Sequence, residues 1–147
     1  MMIGFKRIET LQELDAVLPM IGALHKTQKY CKLFPHSGFL LWLTFNFTNL
    51  AIWVAYEDSR VVGYEIVTIQ NLYTVKEALI LEAFIDRPHS EISEQVFKEV
   101  VAYAMENGCQ LLSMFTENDK VAEACRDKYG FELTRIHMVR RLQCLEE

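Results

Sequence analysis

The segment LAIWVAYEDSRVVGYEIVTI, residues 50–69, decides the architecture, because two β-rich runs, Leu50 to Tyr56 and Val61 to Ile69, flank the polar link Glu57-Asp58-Ser59-Arg60. β-Branched and aromatic side chains suit a pleated surface, and a short polar turn between two such runs reads as an antiparallel hairpin. Downstream, Ala78 to Ile85 sets Leu79, Ile80, Leu81, Ala83 and Phe84 around one carboxylate, Glu82. Near-continuous apolarity of this kind belongs to a central strand covered on both faces.

Upstream, Ile3, Phe5 and Ile8 suggest a short first strand, and Thr10 stands just before the helical series Leu11, Leu14, Leu18 and Ile21. After the breaker Pro35-His36-Ser37-Gly38, Phe39 to Phe47 reads as a helix apolar on nearly every face, which requires burial or a covering partner. Phe39 to Tyr56 runs 18 residues without a charge, close to the length of a membrane span. Asn46, Thr48 and Asn49 interrupt it, and the residues beyond them are those of a strand, so a buried helix followed by a buried strand is expected.

Past the central strand, Asp86-Arg87-Pro88-His89 is a break, and Ser90 is placed to cap a helix carrying Ile92, Val96, Val100 and Ala104 on one face up to Asn107-Gly108. Leu111 to Phe115 reads as a strand, Asn118 to Tyr129 as a helix, and Phe131 to Leu142 as a final extended segment. The order β-α-α-β-β-β-α-β-α-β predicts an α+β fold on a mixed sheet, with no repeat or linker to divide it.

At 147 residues, with few Gly and Pro, one compact domain spanning 1–147 is expected. A net charge of −5 gives no general drive toward nucleic acid or anionic lipid, and Lys26, Lys29 and Lys32 read as a solvated helix end. Cys31, Cys109, Cys125 and Cys144 are scattered, without a paired motif or a leader ahead of them, so a reducing, cytoplasmic setting is expected. His25, His36, His89 and His137 have neither an i,i+4 partner nor a nearby Cys, so no metal site is predicted. No Gly-x-Ser-x-Gly nucleophile elbow occurs.

The stretch Arg126-Asp127-Lys128-Tyr129-Gly130-Phe131, followed by Met138 and Leu142, resembles the C-terminal pattern of the GNAT superfamily of N-acetyltransferases. Val62-Gly63-Tyr64 resembles the Val-Gly-aromatic start of that family's third strand, and Asn118 or Asp119 resembles the Asn that opens its last helix. The element order is similar across almost the entire chain. The resemblance implies a GNAT-like fold, a mostly antiparallel central sheet flanked by helices, and transfer of an acyl group from acetyl-coenzyme A or another acyl-coenzyme A to a small-molecule or protein amine. It further implies a splayed central strand whose backbone at Phe84, Ile85 and Asp86 holds the pantetheine and the thioester carbonyl. Arg87, His89 and Ser90 would belong to the loop and helix N-terminus that cradle the pyrophosphate.

Two positions depart from the family pattern. Its pyrophosphate loop reads Arg/Gln-x-x-Gly-x-Gly/Ala, and aligning the helix on Val96-Phe97 puts Glu91 and Ser93 at the glycines; sliding by one to use Arg87 puts Ser90 and Ile92 there. A carboxylate about 4 Å from a phosphate costs on the order of 4 kcal/mol at an effective dielectric near 20. In an ordinary surface helix, Ser90 would simply cap while Glu91 and Glu94 complement the positive end. The Tyr that many members use to protonate the departing thiolate is replaced by Arg126. Tyr129 takes that role only if its ring turns inward, and otherwise packs or ends the helix.

Glu82 is the candidate base, since a carboxylate within an apolar strand is driven toward protonation and can take a proton from an amine. The plainer alternatives are an outward strand residue and a salt-bridged acid. Glu65 reads as an outward strand position and Cys125 as a small buried hydrophobe. Three functions follow: an N-acyltransferase with an atypical cofactor loop; a non-catalytic GNAT-fold structural or binding module, such as an assembly or virion component, pairing with itself or another protein through the apolar 39–47 helix; and a small-molecule sensor using the cleft.

Overall fold

The computed structural model describes residues 2–27, 36–86, 91–116, 119–134, 140 and 142. The elements are β1 (Ile3–Ile8), α1 (Leu11–His25), α2 (His36–Asn46), a 3₁₀ turn (Phe47–Asn49), β2 (Leu50–Glu57), β3 (Arg60–Leu72), β4 (Val75–Ile85), α3 (Glu91–Glu106), β5 (Leu111–Met114) and α4 (Asp119–Tyr129). The five strands lie side by side in chain order. β1 to β4 are antiparallel, and β5 runs parallel to β4. The expected α+β mixed sheet is therefore present, built on the β2–β3 hairpin. The uncharged run from Phe39 is divided among α2, the 3₁₀ turn and β2, and no helix among the described residues is long and apolar enough to cross a membrane.

Helix ends follow local chemistry. The Thr10 hydroxyl accepts from the Glu13 N–H at 3.1 Å, satisfying one orphan donor of α1. α3 ends where Gly108 takes φ 74° and the Cys109 N–H returns to the Ala104 carbonyl at 2.9 Å. α4 ends similarly at Gly130, φ 72°, with the Phe131 N–H on the Cys125 carbonyl at 3.1 Å.

Each face of the sheet buries its own core. On one, α1 and α2 bring Leu14, Ile21 and Leu43 against Ile52, Val54, Tyr64 and Ile66. On the other, Val96 and Val100 of α3 pack on Trp53, Val62, Val67 and Ile80. Each aliphatic side chain fully withdrawn from water contributes roughly 1.5–3 kcal/mol, so the central strands are held from both sides. The helix expected at 39–47 is only partly buried: Leu43 is in the core, whereas Leu41, Trp42 and Phe45 are exposed.

Three departures from the sequence reading affect the site. β3 and β4 extend beyond the apolar runs, pairing Gln70 with Glu77 and Asn71 with Lys76. β5 stops at Met114, one residue short of the expected end. Of the extended segment expected at 131–142, Phe131 to Thr134 form no strand, and the remainder, apart from Arg140 and Leu142, lies outside the described residues. Two bulges also interrupt the pairing. Val62 is unmatched between Val61↔Tyr56 and Gly63↔Ala55, and Leu81 is unmatched between Ile80↔Val67 and Glu82↔Ile66.

Candidate active site

β4 and β5 separate after Ile80. Their parallel pairing runs from Glu77↔Leu111 to Ile80↔Met114, where β5 ends while β4 continues to Ile85. The closed end is firmly joined: the Glu77 carboxylate, 1% exposed, accepts from Gln70 Nε2 at 2.8 Å and from Ser113 Oγ at 2.6 Å. Beside it, Gln110 donates its N–H to the Lys76 carbonyl at 2.8 Å and accepts the Lys76 N–H on Oε1 at 2.9 Å. A seam fixed at one end and unpaired at the other makes a V-shaped gap.

The polar backbone of the gap follows from register. The Asp86 N–H donates to the Val62 carbonyl at 3.0 Å, so alternation turns the Phe84 N–H toward β3 as well and those of Ala83 and Ile85 toward the side β5 has left. Of the three amides expected at the thioester, Ile85's therefore faces the gap, while Asp86's is engaged and Phe84's points the same way as Asp86's. Gly63 lies opposite Ile85, and a Cβ there would sit 2.5 Å from the Phe84 carbonyl oxygen and 2.9 Å from Ile85 Cα. Only glycine permits this approach of β3 to the open segment. Arg87, His89 and Ser90 lie outside the described residues, and Glu91 and Glu94 occupy the first turn of α3.

The bulge at Leu81 decides where Glu82 points. Ala78 and Ile80 pack on the α3 side, and strict alternation would send Glu82 there too; the extra residue turns it to the α1 side instead. There the Tyr64 hydroxyl donates to Glu82 Oε1 at 2.7 Å, and His25 Nε2 lies 3.6 Å from Oε2. The His25 ring stacks on Phe39 with centroids 3.8 Å apart. His25 is 1% exposed and the Glu82 side chain 10%, so Glu82 is an inward acid in a polar cluster at the rim of the gap. Sequence reasoning weighed His25 only as a metal ligand, although it falls four residues after the buried Ile21 on the same face of α1.

The bulge at Val62 does the converse for Glu65. It places this carboxyl on the α3 side with Val67 and Trp53, opposite Ala83 in register. Glu65 is 7% exposed, has no hydrogen-bonding partner among the described residues, and is pushed up to about 7 by burial. Its charge reaches α4, where it helps to raise the pKa of both Cys125 and Tyr129 after the larger effect of burial on each. The Tyr129 ring is half-buried, 4.3 Å from Phe97, and Glu94 and Cys125 raise its pKa further. The Cys125 Sγ lies 3.5 Å from Met114 Sδ at the end of β5, and Arg126 is exposed. Two carboxyls thus flank the open segment of β4 from opposite faces: Glu82 beside α1, and Glu65 on the side covered by α3.

A surface groove of about 350 Å³ lined by Arg7, Trp53, Lys98, Glu99 and Tyr103 lies between β1 and α3, on the face that carries Glu65. The Arg7 guanidinium covers the aromatic rings there, 4.7 Å from the Tyr103 centroid, and Trp53 Nε1 donates to Glu99 at 3.1 Å. Among the described residues, no three His, Cys, Asp or Glu side chains converge as metal ligands.

No protein-family model matches the sequence, and no curated protein matches it. Solved structures match closely in shape. An aminoglycoside N-acetyltransferase in complex with coenzyme A superposes with a TM-score of 0.73 at 16% identity, over 97% of this chain and 96% of that one. A predicted acetyltransferase with acetyl-coenzyme A from Clostridium acetobutylicum gives 0.72 at 12% identity, over 96% and 97%. A transcriptional regulator from Bacillus halodurans gives 0.68 at 19% identity, over 96% and 100%. The chain has the fold of the GNAT acetyltransferases.

Proposed function

We propose that the chain is an acyl-coenzyme A-dependent N-acyltransferase whose thioester lies in the gap between β4 and β5. The observation that carries this reading is the run Leu81 to Ile85, which continues β4 past its last pairing with β5. Backbone donors and acceptors left at such an edge suit an extended pantetheine, whose amides pair as a strand would. An acyl-coenzyme A supplies the activated acyl group. The Ile85 and Ala83 N–H groups are the donors that would polarise the thioester carbonyl. Glu82 would receive the proton of the attacking amine, with Tyr64 fixing one carboxylate oxygen and His25 beside the other. The acceptor is a small-molecule or protein amine, and amino sugars are the first class to try, given the aminoglycoside acetyltransferase among the structural neighbours.

Arg87, His89 and Ser90 would hold the pyrophosphate against the repulsion of Glu91. Calorimetric titration with coenzyme A and acetyl-coenzyme A tests the reading. The native chain should bind, and Glu91→Gly should bind more tightly; absence of binding by both would sink the proposal.

A second reading, a non-catalytic interaction module, draws on the exposure of Leu41, Trp42 and Phe45 along α2. It calls for an oligomer or complex, measured by light scattering, that Phe45→Glu disrupts in a chain that turns over no acyl-coenzyme A. Acetyl transfer by the native chain would refute it.

A further inference from the structure

We infer that His25 is a positioning residue for the base: its imidazole steadies the second oxygen of Glu82 and, through its stack on Phe39, ties the aim of the carboxylate to the layer formed by α1 and α2. The inference rests on the acyltransferase reading and deepens it, giving the acid of β4 a partner on a helix.

The helix is built to deliver this ring. Val17, Ile21 and His25 fall four apart along α1 and are all buried, so the packing that seats α1 on the sheet also carries the imidazole inward. A polar ring is a costly choice for the last buried position of that stripe, where an apolar side chain would fill the space without desolvating two ring nitrogens. What the ring meets accounts for the choice. Nε2 lies 3.6 Å from Glu82 Oε2, within reach of a charge pair though longer than a hydrogen bond. The ring face lies on Phe39 with centroids 3.8 Å apart and 14° between the planes. That stack fixes the plane of the imidazole and with it the direction of Nε2. His25 is also the last residue of α1, where the carbonyl end of a helix favours a donor or a cation.

The two contacts on Glu82 come from different layers. Tyr64 lies two residues before Ile66, the register partner of Glu82, and donates to Oε1 along the sheet at 2.7 Å; His25 approaches Oε2 from the helix above it. Held at both oxygens, the carboxylate keeps one orientation and presents its remaining lone pairs to the amine. As the amine nitrogen bonds to the acyl carbon, its proton passes to Glu82. The carbon–sulfur bond then breaks, the coenzyme leaves as a thiolate that takes a proton from water, and Glu82 returns its own proton to water. His25 touches neither amine nor thioester and acts only through Glu82. A misplacement of about 1 Å at such a site costs on the order of 100-fold in rate.

The test sets His25→Phe, His25→Gln and Phe39→Leu beside the native chain, with acetyl-coenzyme A and a panel of primary amines. Phenylalanine keeps a stacked ring and has no nitrogen, whereas glutamine gives up the ring and carries an N–H to the place of Nε2. His25→Phe should lower kcat about tenfold or more, with the Kd and KM for acetyl-coenzyme A within about twofold of native. His25→Gln should recover most of that loss. Phe39→Leu, which lets the imidazole tilt, should lower kcat about threefold in the same way. On a Glu82→Gln background His25→Phe should cost little more, because its effect passes through the carboxylate. Infrared carboxylate bands of Glu82, isolated by difference against Glu82→Gln on each background, should move in His25→Phe and return in His25→Gln. The opposite ranking, with His25→Phe tolerated and His25→Gln damaging, marks a ring that only fills space and would overturn the inference. Losses that multiply on the Glu82→Gln background, or a kcat indifferent to Phe39→Leu, would overturn it too, and all three leave the acyltransferase reading intact. Failure of the native chain to bind coenzyme A in the calorimeter would overturn both.

Discussion

The Tyr64 hydroxyl donates to Oε1 of Glu82 at 2.7 Å, tying β3 to β4 on the face opposite the one that buries Glu65. This bond exists because the bulge at Leu81 turns Glu82 over. Glu82→Gln keeps an acceptor for Tyr64 but cannot take a proton. It should therefore lower kcat about 100-fold or more with little effect on acyl-coenzyme A affinity. Tyr64→Phe should cost about 1–3 kcal/mol in urea unfolding, because it takes a donor from a part-buried carboxyl.

Glu65 makes stability depend on pH in a direction opposite to that of an ordinary salt-bridged acid. Its folded pKa of about 7 lies above the usual carboxyl value of 4.5, so the folded state binds its proton more tightly than the unfolded chain does. The contribution is fully present below 4.5 and is lost as pH rises through about 7. At one pKa unit per 1.36 kcal/mol the loss is about 3 kcal/mol. Glu65→Gln should flatten this interval and be the more stable protein in mild alkali, as denaturant titrations at a series of pH values would show.

Gly63→Ala should deform the open segment itself. The new Cβ would meet the Phe84 carbonyl oxygen at 2.5 Å and Ile85 Cγ1 at 2.7 Å, so β4 must shift. A destabilisation of about 1–3 kcal/mol is expected, together with a loss of coenzyme A affinity that calorimetry would register.

At the closed end of the seam, Ser113→Ala removes one of the two donors that the described residues give the buried Glu77 carboxylate. The expected cost is about 1–3 kcal/mol. Faster hydrogen exchange along Leu111 to Met114 would check that the loss is local to β5.

The hairpin, the central strand and the Tyr129-Gly130-Phe131 turn were legible because each rests on local residue chemistry: β-branched runs, a polar link, and a glycine at positive φ. The polar ends of β3 and β4 were not. Glu77 looks like a strand breaker until Gln70 and Ser113, both remote in sequence, are seen to satisfy it. Alternation also misassigned Glu65 to solvent, because helices cover both faces of β3, a fact that the spacing within one strand does not carry. Glu82 was legible as an unusual acid, whereas its partners Tyr64 and His25 come from a neighbouring strand and a helix that only the fold brings together.

The most direct measurement is residue-resolved hydrogen exchange of the β4 amides with and without acetyl-coenzyme A. The Ile85 and Ala83 N–H groups, which face the gap, should gain protection on addition of the ligand, while the Asp86 N–H, already bonded to Val62, should change little. Ligand-induced protection confined to other parts of the chain, or none at any concentration, would contradict an acyl-coenzyme A site between β4 and β5.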